Sequence, residues 1–160
     1  MSGRADRAAW LVDPRAACDP PAARPRPHRL ILLGAPGVGK GTQAALIASR
    51  LGPCHLSTGD VFRTAQALAP CDRTPALTAA IEAMQRGELV SDDTVLAIIG
   101  ERTACLRCPA GFLLDGFPRT LNQAHALEAL FAAEQVRLDA VVSYELPIER
   151  LVARIAGRRV

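Results

Sequence analysis

The segment GAPGVGKGT, residues 34–42, constrains this chain more than any other stretch. It follows a short apolar run, RLILLG, and precedes a segment with small and apolar residues at helical spacing. Glycines let the backbone wrap around an anion with its N–H groups pointing inward, and the start of the following helix adds a positive end. The order strand, loop, helix, with Gly34, Gly39 and Lys40 at this spacing, predicts a phosphate-binding loop.

Lys40 supports this interpretation, because it is the only lysine among 19 basic residues. A compact ammonium is hard to replace with arginine where one charge must reach a phosphate. The motif puts Lys40 near the β- and γ-phosphates of a nucleoside triphosphate and the Thr42 hydroxyl near Mg²⁺. The threonine falls one place later than in the plain motif. The loop alone predicts nucleotide binding and does not distinguish GTPases, ATPases, motor proteins and kinases.

Strand and helix patterns alternate along the rest of the chain. Short apolar runs (RLILLG, CHLS, GFLLDG and DAVVSYEL) predict strands, and amphipathic segments lie between them. Residues 91–105 are predicted to form one helix, with Ser91 as N-cap and two aspartates in its first turn. The pattern predicts the α/β class, with a mainly parallel sheet of the P-loop type flanked by helices. Residues 1–28, rich in arginine and proline, are predicted to be a disordered extension before a core at 29–160.

Composition excludes several classes of function. The net charge is only +3 and the basic residues are scattered, so nothing favours nucleic acid. No apolar run is long enough to span a membrane. Five cysteines form an odd set without regular spacing, which favours a reducing compartment, and we expect a cytoplasmic protein.

Two further motifs, STGDVFR (57–63) and GFLLDGFPRTLNQ (111–123), follow the loop in order. With Gly-x-Pro-Gly-x-Gly-Lys-Gly-Thr, they resemble the adenylate kinase family over nearly all of residues 29–160. The resemblance implies reversible transfer of the γ-phosphoryl group of ATP to AMP, giving two ADP, with Mg²⁺ arriving with ATP and a monomer as the full-length protein. It also implies an inserted helical segment, at about 57–90, that binds the acceptor.

The resemblance implies roles for individual residues. ATP binding falls to Gly37, Val38, Gly39, Lys40, Gly41 and Thr42. AMP binding falls to Thr58, Arg63, Glu88, Leu89, Val90, Gly116, Phe117, Pro118, Arg119 and Gln123. Thr58 and Gln123 would contact the adenine, and Arg63 and Arg119 the AMP phosphate. Glu88 departs from the basic residue that is common at its position.

Further roles concern the metal and the transferred group. The resemblance implies that Asp115 holds Mg²⁺ through water, with Asp60 assisting. It also implies that Arg154 and Arg158 clamp the transferring phosphates, Arg158 as part of the ATP site, so that the catalytic set is Lys40, Arg119, Arg154 and Arg158. His55 and His125 are predicted to have no functional partner.

Two alternatives stay open. Kinases that act on UMP or CMP tend to carry alanine in place of Thr58 and asparagine in place of Gln123, so the residues present favour AMP. Members of the family continue past the position of Val160 into a mobile lid, a fifth strand and a closing helix, and we expect this chain to lack them. A non-catalytic nucleotide-binding fragment is therefore the second alternative.

Overall fold

A computed structural model describes residues 26–157 of the chain. The strands are β1 (His28–Gly34), β2 (Cys54–Ser57), β3 (Gly111–Asp115) and β4 (Ala140–Tyr144). The helices are α1 (Lys40–Leu51), α2 (Thr58–Ala67), α3 (Pro75–Gln85), α4 (Asp92–Gly100), α5 (Thr103–Leu106), α6 (Leu121–Ala133) and α7 (Ile148–Ala156), with a short 3₁₀ helix at Pro70–Asp72. The disorder predicted for residues 1–28 falls almost wholly outside the described residues, although β1 already begins at His28.

The strands form one four-stranded sheet in the order β2-β3-β1-β4, and every pairing is parallel. The predicted α/β class is confirmed. β1 therefore lies between β3 and β4, so the loop after β1 leaves the sheet beside the carboxyl end of β3. In open α/β sheets, ligands bind at the carboxyl ends of the strands. The strand order thus determines where the three motifs of the sequence meet.

Helices cover both faces of the central strands. Ile31, Phe112 and Leu114 face a core that α2, α3, α4 and α6 complete, and neighbouring positions on the same strands, Leu32 and Leu113, face Ala44 of α1 on the other side. All five of these strand residues are at most 4% exposed. This alternation explains why β1 and β3 appear in the sequence as unbroken apolar runs.

The single helix predicted for residues 91–105 is wrong. α4 does begin after Ser91, whose side chain accepts a hydrogen bond from the Thr94 N–H, but it ends at Gly100. The chain then turns, with the Arg102 N–H bonded to the Ile99 carbonyl, and a separate short helix, α5, follows. The turn buries Arg102, which is 1% exposed.

One edge of the sheet is less well covered. β4 pairs only with β1 among the described strands, and its residues Ala140–Ser143 are all exposed. No residue of α7 is buried, and Ile148, Val152 and Ile155 are 50 to 72% exposed. Within residues 26–157, no helix combines the length and apolar character needed to cross a membrane.

Candidate active site

One open cavity of about 1020 Å³ lies at the carboxyl ends of β1 and β3. Residues from all three sequence motifs line it, and so does one residue of α7. Among the residues singled out from the sequence, the lining contains Gly37, Gly39, Lys40, Gly41, Thr42, Asp60, Arg63, Asp115, Gly116, Pro118, Arg119 and Arg154. The tertiary structure thus brings most of the predicted site together.

The loop that follows β1 requires glycine at specific positions. Gly37 and Gly39 have φ angles of 82° and 103°, in the region that side chains other than glycine rarely adopt. A Cβ atom on Gly37 would also lie 3.0 Å from Cγ1 of Ile155, because α7 packs closely against the loop. Arg154 of α7 donates to the Val38 carbonyl at 3.4 Å. Contact with α7 therefore helps to hold the loop in its wrapped form.

Lys40 stands at the first position of α1, where its ammonium group faces the cavity. Its Nζ donates to the Gly34 carbonyl and, at 3.1 Å, to the Ala35 carbonyl. Partial burial lowers the pKa of Lys40, the nearby positive charge of Arg119 lowers it further, and Asp115 opposes both. A partly desolvated ammonium that bonds to neutral carbonyls is a favourable partner for an anion entering the cavity.

Asp115 ends β3 at the centre of the sheet. Its backbone is in register with Leu32 of β1 and Ser57 of β2, so it lies between the phosphate-binding loop and the STGD segment. Its Oδ2 is 3.9 Å from where a Cβ on Gly41 would be. His55 Nε2 lies 3.7 Å from the same oxygen. Parallel pairing of β2 with β3 therefore brings His55 close to Asp115, a proximity that the sequence does not predict, and the prediction that His55 has no functional partner stays a prediction.

Two arginines reach the cavity from different segments. Arg63, on α2, pairs with Asp60 one turn earlier. Arg119, in the loop after β3, donates from Nε to the Gly116 carbonyl at 2.7 Å, which orients its guanidinium. A planar guanidinium group can donate two parallel hydrogen bonds to two phosphate oxygens. Asp60 had been assigned only a supporting metal role, and its contact with Arg63 was not expected.

The two residues expected to read a base, Thr58 and Gln123, are 6% and 5% exposed. Thr58 Oγ1 donates to the Gly116 carbonyl at 3.3 Å, and Gln123 Oε1 accepts from the Arg119 backbone N–H at 2.7 Å. Gln123 Nε2 donates to Asp92, which the sequence had marked only as a helix-start residue. No local sequence signal could reveal this contact, because the two residues are 31 positions apart.

Comparison with known proteins decides the family. The family model described as adenylate kinase matches residues 32–159, which contain all three motifs and the cavity they form. The chain belongs to the adenylate kinase family. It is 47% identical to adenylate kinase of Carboxydothermus hydrogenoformans over 132 residues, 82% of this chain and 60% of that protein.

Two other adenylate kinases give a similar result. Adenylate kinase of Exiguobacterium sibiricum is 48% identical over 131 residues, 82% of this chain and 59% of that protein. Adenylate kinase 3 of Oryza sativa subsp. japonica is 46% identical over 130 residues, 81% of this chain and 52% of that protein. The chain thus spans about half to three fifths of the length of these curated relatives.

Some residues expected from the adenylate kinase resemblance do not line the cavity, and Thr58 and Gln123 are among them. Glu88, Leu89 and Val90 form the connection before α4, where Leu89 is 96% exposed and Glu88 pairs with Arg86 at 2.8 Å. The hydrogen bond from Arg86, together with its charge, lowers the pKa of Glu88. The roles of these residues stay predictions.

Three other members of the predicted set need separate comment. The side chain of Phe117 is 1% exposed and belongs to the core, so only its backbone can serve a ligand. Val38 is likewise buried, at 8% exposure. Arg158, assigned to the phosphate clamp, lies outside the described residues.

Proposed function

We propose that this chain carries the phosphoryl-transfer centre of an adenylate kinase, in which the γ-phosphoryl group of ATP passes reversibly to AMP and gives two ADP. The supporting observation is that Lys40 and the loop line one cavity together with Arg63 and Arg119. One cavity thus combines a cradle for a triphosphate with two guanidinium groups for a second phosphate. A cavity that can hold phosphates of two nucleotides suits transfer of a phosphoryl group between them better than hydrolysis of one nucleotide.

The geometry supports a mechanism of positioning and charge neutralisation. Phosphoryl transfer passes through a loose transition state that needs in-line placement and positive charge rather than a covalent intermediate. Loop N–H groups hold the donor phosphates, and Lys40 exchanges its carbonyl contacts for phosphate oxygens. Arg63 and Arg119 hold the acceptor phosphate, and Arg154 approaches the transferred group from the α7 side. Arg158 would add to this clamp.

The residues present fit a magnesium ion. Thr42 and Asp115 both line the cavity and offer hydroxyl and carboxylate oxygens, the ligand type that Mg²⁺ prefers. When bound with ATP, Mg²⁺ neutralises charge on the β- and γ-phosphates. Asp115 would hold the ion through water, and the position of its carboxylate near Gly41 of the loop supports this role.

AMP is the proposed acceptor. Thr58 and Gln123 stand where UMP- and CMP-specific kinases tend to carry alanine and asparagine, and the curated relatives are named adenylate kinases. The alternative acceptors remain testable by competition among AMP, UMP and CMP. We further propose a cytoplasmic location and, for the full-length protein, a monomer.

The test measures ADP formed from ATP and AMP with the 160-residue chain. We expect Lys40→Ala to abolish ATP binding and Arg119→Ala to abolish AMP binding, each measured by calorimetry, and both to lose ADP formation. Arg50→Ala is the matched control, because Arg50 is exposed at the far end of α1. Unchanged rates in either site variant would refute the assigned role. Binding of both nucleotides without any ADP would instead favour the non-catalytic alternative.

A further inference from the structure

Asp92, in the first turn of α4, connects two residues at the start of α6. Its Oδ2 accepts a hydrogen bond from the Thr120 hydroxyl at 2.7 Å, and its Oδ1 accepts one from Gln123 Nε2 at 2.6 Å. Gln123 Oε1 in turn accepts from the Arg119 backbone N–H at 2.7 Å. A buried side-chain amide is thereby bonded at both of its polar atoms.

These partners allow only one orientation of the Gln123 amide. A carboxylate accepts hydrogen bonds and cannot donate, and a backbone N–H donates and cannot accept. Rotating the amide by half a turn would put its oxygen against the Asp92 carboxylate and its NH₂ group against the Arg119 N–H. Both contacts would be repulsive, so Asp92 and the Arg119 backbone together fix which amide atom occupies which position.

A fixed amide has a defined remaining capacity. Nε2 carries two hydrogens and Oε1 two lone pairs, and one of each is already used. One N–H and one lone pair are left for a ligand. The 6-amino group and N1 of adenine offer a donor beside an acceptor, which matches this pair. A 6-oxopurine offers an acceptor at O6 and a donor at N1, the reverse arrangement.

We propose that Asp92 is a positioning residue that sets purine selectivity, because it holds Gln123 in the orientation that accepts AMP and rejects 6-oxopurine nucleotides. The inference rests on the proposed function, since it requires Gln123 to face the base of the acceptor nucleotide. With its phosphate held by Arg63 and Arg119, as proposed above, a bound nucleotide would not be free to turn its base over to match a reversed amide. Asp92 itself does not line the cavity and would act only through Gln123.

The experiment compares binding of AMP and IMP to the full chain by calorimetry. IMP differs from AMP only at the 6-position and N1, so the ratio of the two affinities reports the amide orientation. In Asp92→Ala we expect the preference for AMP over IMP to fall about tenfold, as one orienting hydrogen bond is lost. Asp92→Asn should keep the parental ratio within about threefold, since its oxygen accepts from Gln123 and its NH₂ group donates to the Thr120 hydroxyl.

Folding is monitored by thermal melting and by ATP binding, because Asp92 lies outside the loop that is proposed to bind ATP. Asp92→Ser provides a second test if the alanine variant does not fold, because a hydroxyl can donate or accept and so fixes neither orientation. An unchanged AMP:IMP ratio in a folded alanine or serine variant would overturn the inference and leave the proposed function intact. A parent chain that binds no AMP would overturn the proposed function and, with it, this inference.

A measurement without ligand further separates the inference about Asp92 from the proposed function. In the parent, NMR should show the Gln123 side-chain NH₂ protons protected from solvent exchange, and in Asp92→Ala that protection should fall by at least about tenfold. Equal exchange in the two proteins would show that Asp92 does not hold the amide, whatever nucleotide the protein binds.

Discussion

His55, near the start of β2, lies close to Asp115, the last residue of β3, with 3.7 Å between His55 Nε2 and Asp115 Oδ2. Their side chains are only 5% and 11% exposed. Within the described residues, neither ring nitrogen of His55 has a hydrogen-bond partner. The imidazole ring of His55 therefore packs beside the Asp115 carboxylate, while its own nitrogen atoms make no hydrogen bond.

We expect His55→Leu to leave the free energy of unfolding unchanged or to raise it by up to about 1 kcal/mol, because burying an unbonded polar atom costs about 1–3 kcal/mol. His55→Ala, the matched variant, should lose about 2 kcal/mol because it leaves a cavity. Urea unfolding measures both. A leucine variant as unstable as the alanine variant would show that the ring nitrogens make a stabilising interaction.

Lys40→Met should separate stability from binding. Folding lowers the pKa of Lys40, so the native state disfavours the ammonium form, and below both pKa values the charge opposes folding. That opposition fades as the pH rises through the folded pKa. At pH 7 we therefore expect the variant to be as stable as the parent or more stable by up to about 0.5 kcal/mol. ATP at about 100 times its Kd should stabilise the parent by about 2.7 kcal/mol and the variant not at all. Thermal melting with and without ATP tests this, and equal ATP shifts would contradict it.

Asp139 connects the start of β1 to the segment before β4. Its carboxylate accepts from the Arg29 backbone N–H at 2.8 Å and from Arg26 at 3.1 Å. These bonds, the backbone one foremost, lower the pKa of Asp139 below its ordinary value of 3.8. A carboxyl whose pKa is lowered by folding stabilises the native state above that ordinary value, and the stabilisation is lost as the pH falls through the folded pKa.

Asp139→Asn should therefore lower the free energy of unfolding by about 1 kcal/mol at pH 7, and the difference should shrink steadily below about pH 4. Denaturant melts across pH 2.5–7 provide the measurement. Glu128→Gln on the exposed side of α6 is the control and should change stability by less than about 0.5 kcal/mol. A difference between Asp139→Asn and the parent that is independent of pH would refute the electrostatic cause.

Two glycines should respond oppositely to alanine. Gly34, at the end of β1, has φ +137°, and a Cβ there would lie 2.5 Å from the Tyr144 carbonyl oxygen of β4. We expect Gly34→Ala to cost at least about 2 kcal/mol, through backbone strain and loss of the close β1–β4 approach. Gly100, the last residue of α4, would bring its Cβ near no atom, so Gly100→Ala should add about 0.5–1 kcal/mol. Equal effects in chemical unfolding would refute the role of the close approach.

The exposed apolar residues of β4 and α7 predict self-association. Val141, Ile148 and Val152 are 52%, 72% and 61% exposed, and β4 is an edge of the sheet as described. Exposed apolar edges favour pairing with another chain. We expect the 160-residue chain to form concentration-dependent oligomers in sedimentation experiments, and Val152→Lys to reduce them. Leu89→Lys, which removes an isolated exposed leucine, is the control. A parent that stays monomeric at all concentrations would contradict the prediction.

The sequence by itself determined the elements and the chemistry of the loop. Glycine spacing before Lys40, apolar runs of strand length and the N-cap Ser91 are local signals, and each acts through residues only a few positions away. They predicted the α/β class and the start of α4, both of which the structure contains, and phosphate binding by the loop, which stays a prediction. The boundary that was wrong is the end of α4, which is followed by a turn that buries Arg102, and no local pattern indicates this burial.

Only the tertiary structure decided which side chains meet. The order β2-β3-β1-β4 brings His55 beside Asp115. The packing of α4 against the start of α6 brings Asp92 into hydrogen-bond contact with Gln123. Alternating strands and helices are compatible with several strand orders, so neither contact follows from the pattern. These pairings join residues far apart in the chain, and they exist because the pairing of β2 with β3 and the packing of α4 against α6 bring distant segments into contact.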